Sequence, residues 1–241
     1  MAWEPWTGCY KVSEGCEYCY YYGPYSKRHG QNEIVRTDEF YKPLETVYMP
    51  RKKITKYKME GGKICATCFT TDFFLPEADE WRGEAWSVIR QRPDLTFLFL
   101  TKRIERFYVS LPEDWGGGYD NVRIGCTVEN QAAADSRLPV YLSCPIKNRW
   151  IVCSPLLGEI DLAPYLHGVN SVLAAGESGR EARVCDYGWI LSLREQCEKA
   201  GKAFKFDGTG SRFLKYGELH IINPYKQKSF AREMKIDIEI T

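Results

Sequence analysis

Six short apolar runs recur down the chain from Lys63 onward: Ile64-Cys65-Ala66, Phe97-Leu98-Phe99-Leu100, Val122-Arg123-Ile124-Gly125-Cys126, Trp150-Ile151-Val152-Cys153, Val172-Leu173-Ala174-Ala175 and Phe204-Lys205-Phe206. Their starts lie 22 to 33 residues apart, close to the roughly 30 residues of a strand–crossover–strand unit. A strand covered on both faces is apolar nearly throughout, whereas a strand with one wet face alternates. The runs therefore predict parallel strands.

The segments between them support crossover helices. Between Glu77 and Arg92, Ala78, Trp81, Ala85, Val88 and Ile89 fall at three- and four-residue spacing, with Glu77, Asp79 and Glu80 in the first turn, where the helix dipole favours anions, and Pro93 as a stop. Between Tyr187 and Ala200, Ile190, Leu193, Cys197 and Ala200 form a second stripe, with Asp186 as N-cap and Gly201 beyond the end. A shorter helix is expected over Arg103–Leu111, and a helical region over Gln131–Leu142 interrupted by Pro139. Such units build either an open doubly wound sheet or a barrel. No G-x-G-x-x-G follows the first run, so the expected class is α/β with a partial or complete TIM-like (β/α) barrel of mainly parallel strands.

With 241 residues the chain is expected to form a single domain around one sizeable core. Lys and Arg number 33 against 32 Asp and Glu, which removes the global charge of a dedicated duplex binder. No apolar run approaches the roughly 18 residues of a membrane span. The start Met1-Ala2-Trp3-Glu4-Pro5 has neither the basic nor the apolar region of a signal peptide, so a reducing cytoplasm is expected.

Ten cysteines in such a compartment are not a disulfide framework. Three of them, Cys9-x6-Cys16-x2-Cys19, share one loop with Gly8 and Gly15. A structural zinc site or an electron-transfer cluster normally takes four protein ligands, whereas three thiolates on a [4Fe–4S] cluster leave one iron open. An open iron can hold the amino and carboxylate groups of S-adenosylmethionine. The alternatives are a zinc site completed by Cys65, Cys68 or a histidine, in a non-enzymatic interaction module, and unligated thiols. Cys65 and Cys68 read as core residues, the remaining single cysteines as buried and inert, and His29, His167 and His220 show no ligand spacing.

Further segments carry a resemblance. Trp3-Glu4-Pro5-Trp6-Thr7-Gly8-Cys9 with Ser13-x-Gly15-Cys16-x-x-Cys19-Tyr20, then Thr71-Asp72-Phe73-Phe74, Leu100-Thr101-Lys102-Arg103, Val128-Glu129-Asn130-Gln131, Pro155-Leu156-Leu157-Gly158 with Ile160-Asp161-Leu162, and Gly176-Glu177-Ser178-Gly179 resemble, in order, the phage- and prophage-associated three-Cys-motif proteins, a radical S-adenosylmethionine-like family. The resemblance spans roughly residues 3 to 210. It implies a radical-SAM type of barrel, a cluster loop over 3–25, a basic insertion over about 40–63 and a C-terminal extension over about 211–241. It implies a [4Fe–4S] cluster on Cys9, Cys16 and Cys19, S-adenosylmethionine as cofactor, and an electron donor such as flavodoxin or ferredoxin. The chemistry implied is generation of a 5′-deoxyadenosyl radical that abstracts hydrogen from an unidentified substrate. The chain departs from the common radical-SAM spacing, with six residues rather than three between the first two cysteines, and carries Ser154 and Asp207-Gly208 where many relatives have Glu and Lys-Gln.

Asp72, Thr101, Lys102, Glu129, Ser154, Glu177 and Asp207 all fall just beyond the expected strand ends, where a βα barrel collects its site. The resemblance implies that Tyr18 contacts adenine and that Thr71 and Asp72 hold the methionine ammonium. Glu129 and Glu177 then bind ribose hydroxyls or substrate, and Lys102 with Arg103 the methionine carboxylate or a substrate phosphate. Tyr20-Tyr21-Tyr22 with Tyr25 are expected to form a lid or wall. The stretch Phe40–Lys63 reads as a basic loop or insertion, and Ile236-Asp237-Ile238-Glu239-Ile240 as a terminal edge strand. Arg51–Lys63, Lys102, Arg103, Arg106 and the 16 tyrosines suit a nucleotide or an exposed nucleic-acid strand.

Overall fold

The structure, a computed structural model, describes residues 1–22 and 33–239. Each apolar run is a strand: β6 (Ile64–Thr67), β7 (Thr96–Thr101), β8 (Val122–Thr127), β9 (Asn148–Cys153), β10 (Ser171–Ala175) and β12 (Ala203–Gly208). With β1 (Ala2–Trp3) they make a seven-stranded parallel sheet of order β1-β6-β7-β8-β9-β10-β12. Two residues carry no pattern of their own. Pairing defines β1: the carbonyls of Met1 and Trp3 accept from the amides of Ala66 and Cys68.

Short strands accompany this α/β core: β2 (Trp6–Thr7) pairs with β3 (Val35–Arg36), β4 (Thr46–Met49) with β5 (Ile54–Tyr57), and β11 (Cys185–Asp186) with β13 (Arg212–Lys215) and β14 (Glu218–Ile221). The helices are α1 (Asp79–Arg90), α2 (Gln131–Ser143), α3 (Tyr187–Lys199) and α4 (Gln227–Glu233). Among the described residues no helix is long and apolar enough to cross a membrane.

Several local expectations are corrected. Helix α2 continues through Pro139, and both Pro139 and Asp135, whose carbonyl loses the amide donor that proline lacks, are exposed. The segment Arg103–Leu111 is reduced to one 3-10 turn, Ile104–Arg106, with three-residue bonds such as Phe107 N to the Ile104 carbonyl, and Pro112 disfavours helical backbone at Leu111. In α1 the buried face uses Arg82 and Trp86 rather than Trp81, and in α3 Ala200 is exposed beyond the last turn. Within the basic stretch Phe40–Lys63, Thr46–Met49 and Ile54–Tyr57 pair as the antiparallel β4–β5 hairpin. The terminal alternation yields one bridge, Ile238 with Phe204, because the Asp237 carboxylate accepts the Phe206 amide that a longer ladder would use; Ile240 lies outside the described residues.

The chain divides into two compact units, Met1–Tyr10 with Gln31–Ile124 and Pro145–Asn148, and Lys11–Gly30 with Gly125–Cys144 and Arg149–Thr241. The core of the first is aromatic. Phe73 stacks on Phe99 with centroids 4.5 Å apart and meets Trp86 at 4.8 Å, and Trp86 meets Trp115 at 5.0 Å. Burying each such ring contributes on the order of 3 kcal/mol. In the second unit the strand residues Ile151, Cys153, Val172 and Phe204 are buried, as are Leu138 of α2 and Ile190, Leu193 and Cys197 of α3.

Candidate functional site

In the first unit the Trp3-Glu4-Pro5-Trp6 segment binds the chain that leaves β6. The Trp3 carbonyl accepts from the Cys68 amide at 3.1 Å, Glu4 accepts from the Phe69 amide at 3.0 Å and the Thr70 hydroxyl at 2.8 Å, and Trp6 Nε1 donates to the Asp72 carbonyl at 3.2 Å. The Thr71 hydroxyl donates to the Gly8 carbonyl. From the other side buried Arg82 donates to the carbonyls of Phe73 at 2.9 Å and Leu75 at 2.6 Å. Asp72 is thus held by residues on both flanks before its side chain makes any contact.

That side chain is a hub. Asp72 Oδ1 accepts from Thr101 Oγ1 at 2.9 Å and Phe74 N at 3.0 Å, and Oδ2 from Lys102 N and Arg103 Nη1, both at 3.1 Å. Four donors satisfy a buried carboxylate. Arg103 extends the hub to the cysteine loop: Nη2 donates to the Tyr10 carbonyl at 2.8 Å, and the guanidinium lies 4.5 Å from the centroid of the Tyr10 ring. Burial opposes the Arg103 charge, but the Asp72 carboxylate, with the hydrogen bond to Tyr10, helps to hold its pKa above the ordinary value. Lys102 is half-buried, and its ammonium has no ion pair among the described residues. Gly8 has φ +96°, and a Cβ there would lie 2.3 Å from the Glu33 carbonyl oxygen, so the turn into Cys9 requires glycine.

In the second unit Cys16 closes a 3-10 turn, Glu14–Cys16. The Gly15 amide donates to Glu129 Oε1 at 3.3 Å, and a Cβ on Gly15 would lie 3.0 Å from the Glu129 carboxyl carbon. Glu129 pairs with Arg137 at 2.8 Å, and Asn130, which caps α2 at the Ala133 amide, donates to Glu14 Oε2 at 2.9 Å. Two residues beyond β10, Glu177 takes Arg183 bidentately, and Arg183 Nη2 also donates to the Glu14 carbonyl at 3.0 Å. Tyr18 is 41% exposed, with the Arg183 guanidinium 5.2 Å from its ring centroid.

Asp72, Lys102, Glu129, Ser154 and Glu177 lie beyond the strand ends as expected, whereas Thr101 is the last residue of β7 and Asp207 lies inside β12. Thr71, Asp72, Thr101 and Lys102 gather in the first unit, while Glu129 and Glu177 gather on the cysteine turn in the second. Ser154 precedes a cis proline, and Asp207 pairs with Lys228 at 2.9 Å at the surface. Of the tyrosine run, Tyr20 is exposed and Tyr21 buried; Tyr25 and His29 lie outside the described residues. Glu14, Tyr10, Arg137 and Arg183 carry no motif, and only their contacts reveal them.

Cys9, Cys16 and Cys19 are half-buried, while the other seven cysteines are buried. Three partly accessible thiols on one loop fit an iron–sulfur cluster in kind. Among the described residues no group of three or more His, Cys, Asp or Glu side chains is placed to hold a metal ion. No curated protein and no solved structure matches the chain. Residues 1–234 match the family described as proteins of unknown function, DUF5131, and the chain belongs to that family.

Proposed function

We propose that this chain is a cytoplasmic radical S-adenosylmethionine enzyme, a single domain built as a partial or complete (β/α) barrel, that abstracts hydrogen from a nucleotide or nucleic-acid substrate. The observation that carries the reading is the contrast among the thiols: seven are buried, and the three on the Cys9–Cys19 loop are half-buried. Cys9, Cys16 and Cys19 would hold a [4Fe–4S] cluster. When bound, such a cluster with one open iron supplies the electron that cleaves the carbon–sulfur bond of S-adenosylmethionine.

The chain's own residues orient the loop. Asp72 positions Arg103, which fixes the Tyr10 carbonyl beside Cys9. Glu129, and Glu177 through Arg183, fix the turn that carries Cys16. Lys102 offers a cation for the methionine carboxylate, Thr71 a hydroxyl, and Tyr18 an accessible ring for adenine. A ferredoxin or flavodoxin would deliver the electron.

Anaerobic reconstitution tests this reading. About four irons and four sulfides per chain, with release of 5′-deoxyadenosine from S-adenosylmethionine under reduction, are expected. Cys9→Ala, Cys16→Ala and Cys19→Ala should each lose the iron, while Cys185→Ala and Cys197→Ala keep it. One tightly held zinc with no sulfide would sink the reading and favour a zinc-binding module.

A further inference from the structure

The β4–β5 ribbon has no part in that chemistry. Its register pairs Thr46 with Tyr57, Val47 with Lys56, Tyr48 with Thr55 and Met49 with Ile54. Directly opposed residues share a face, so Thr46, Tyr48, Thr55 and Tyr57 line one face and Val47, Met49, Ile54 and Lys56 the other. Both are open to solvent: Tyr48 is 58% exposed, Ile54 47% and Val47 40%. The root is fixed. Fully buried Arg92 donates to the carbonyls of Pro43 and Met59, which flank the ribbon, pairs with Asp94 at 2.8 Å, and lies 4.0 Å from the Tyr57 ring centroid.

Charge on the ribbon has one sign. No Asp or Glu occurs from Thr46 to Met59. Lys58 pairs with Glu45 at 2.8 Å, but Arg51, Lys52, Lys53 and Lys56 make no ion pair among the described residues. A charge run that merely solvates a surface is ordinarily interleaved with acids. Here unpaired cations sit at the 50–53 turn and, with Lys56, on the face opposite Tyr48, on a rooted two-stranded ribbon that also exposes a tyrosine ring and aliphatic side chains, which matches a polyanion that also offers flat apolar faces.

We propose that the β4–β5 ribbon binds single-stranded nucleic acid, with phosphates on Arg51, Lys52, Lys53 and Lys56 and a base stacked on Tyr48. A duplex hides its base faces, and an anionic membrane or acidic protein would use the lysines without requiring the Tyr48 ring. The inference sharpens the substrate class of the proposed enzyme but needs no iron, so the two readings fail separately.

The test is fluorescence anisotropy of the full chain with a labelled oligo(dT) of about 20 nucleotides at about 50 mM salt, with heparin and phosphatidylserine vesicles as further probes. The triple variant Lys52→Glu/Lys53→Glu/Lys56→Glu should bind oligo(dT) at least about tenfold more weakly and flatten the salt dependence. Tyr48→Ala should weaken oligo(dT) about tenfold and leave heparin binding unchanged. These side chains are exposed, so the unfolding midpoint should hold; if the triple variant fails to fold, Lys53→Gln at the tip should show the same loss at about threefold. Absence of oligo(dT) binding in the wild type, equal binding by the lysine variants, indifference to Tyr48→Ala, or tighter binding to the vesicles than to oligo(dT) would each overturn the proposal.

Discussion

Arg183 grips Glu177 with two parallel bonds, Nη2 to Oε1 at 2.7 Å and Nε to Oε2 at 2.9 Å. The same guanidinium reaches Glu14, 169 residues away in sequence, so a strand-end carboxylate controls the turn that carries Cys16. Arg183→Ala leaves a buried carboxylate without its partner and should cost about 3 kcal/mol in urea unfolding. Arg183→Lys keeps the charge but not the planar fork, and should recover only part of that loss. Both variants should raise the alkylation rate of Cys16, followed by mass spectrometry. An unchanged rate would show that the turn holds itself.

Thiol reactivity should separate two classes of cysteine. Burial pushes Cys144 up to about 11 and Cys185 and Cys197 to about 12, and raises Cys65, Cys68 and Cys153 as well. Thiolate is the reactive form, so these thiols are protected twice, by access and by ionisation. At neutral pH Ellman's reagent should titrate about three thiols in the folded chain, Cys9, Cys16 and Cys19, and all ten after unfolding. More than three rapid equivalents would contradict the buried assignment.

Glu4 gives the stability a pH dependence of defined sign. Its carboxyl is raised above the usual 4.5 by burial, against the lowering effect of hydrogen bonds from Thr70 and Phe69 and with a small contribution from Glu39. The folded chain therefore holds this proton more tightly than the unfolded chain. The Glu4 contribution is fully present below 4.5 and is lost as pH rises through the folded value. Glu4→Gln removes the titration, so the unfolding free energy of wild type minus that of the variant should fall between pH 4.5 and neutrality. Denaturant titrations over that interval measure it, and a flat or rising difference would refute the assignment.

The parts of the architecture that the amino-acid order determines by itself are those with a local signature. The apolar runs mark β6 to β10 and β12, although burial alternates along β6, β7, β10 and β12, with one face buried and the other partly open, and the three- and four-residue stripes with Asp186 and Gly201 mark α3 to within a residue of its ends. The separation of three loop cysteines from seven core cysteines is legible for the same reason, since it follows from clustering and from apolar neighbours. Strand β1 and the passage of α2 through Pro139 are not legible, because a partner strand and an exposed helix face supply what the local residues lack.

The candidate site divides in the same way. Asp72, Glu129 and Glu177 announce themselves by following strands, but the groups that complete them, Arg103 with Tyr10, Arg137, and Arg183 with Glu14, do not. An ion pair has no periodicity. A carboxylate that loses its water on burial must be met by whichever donors the folded chain brings within about 3 Å, and residues more than a hundred positions apart meet there only after the sheet has formed.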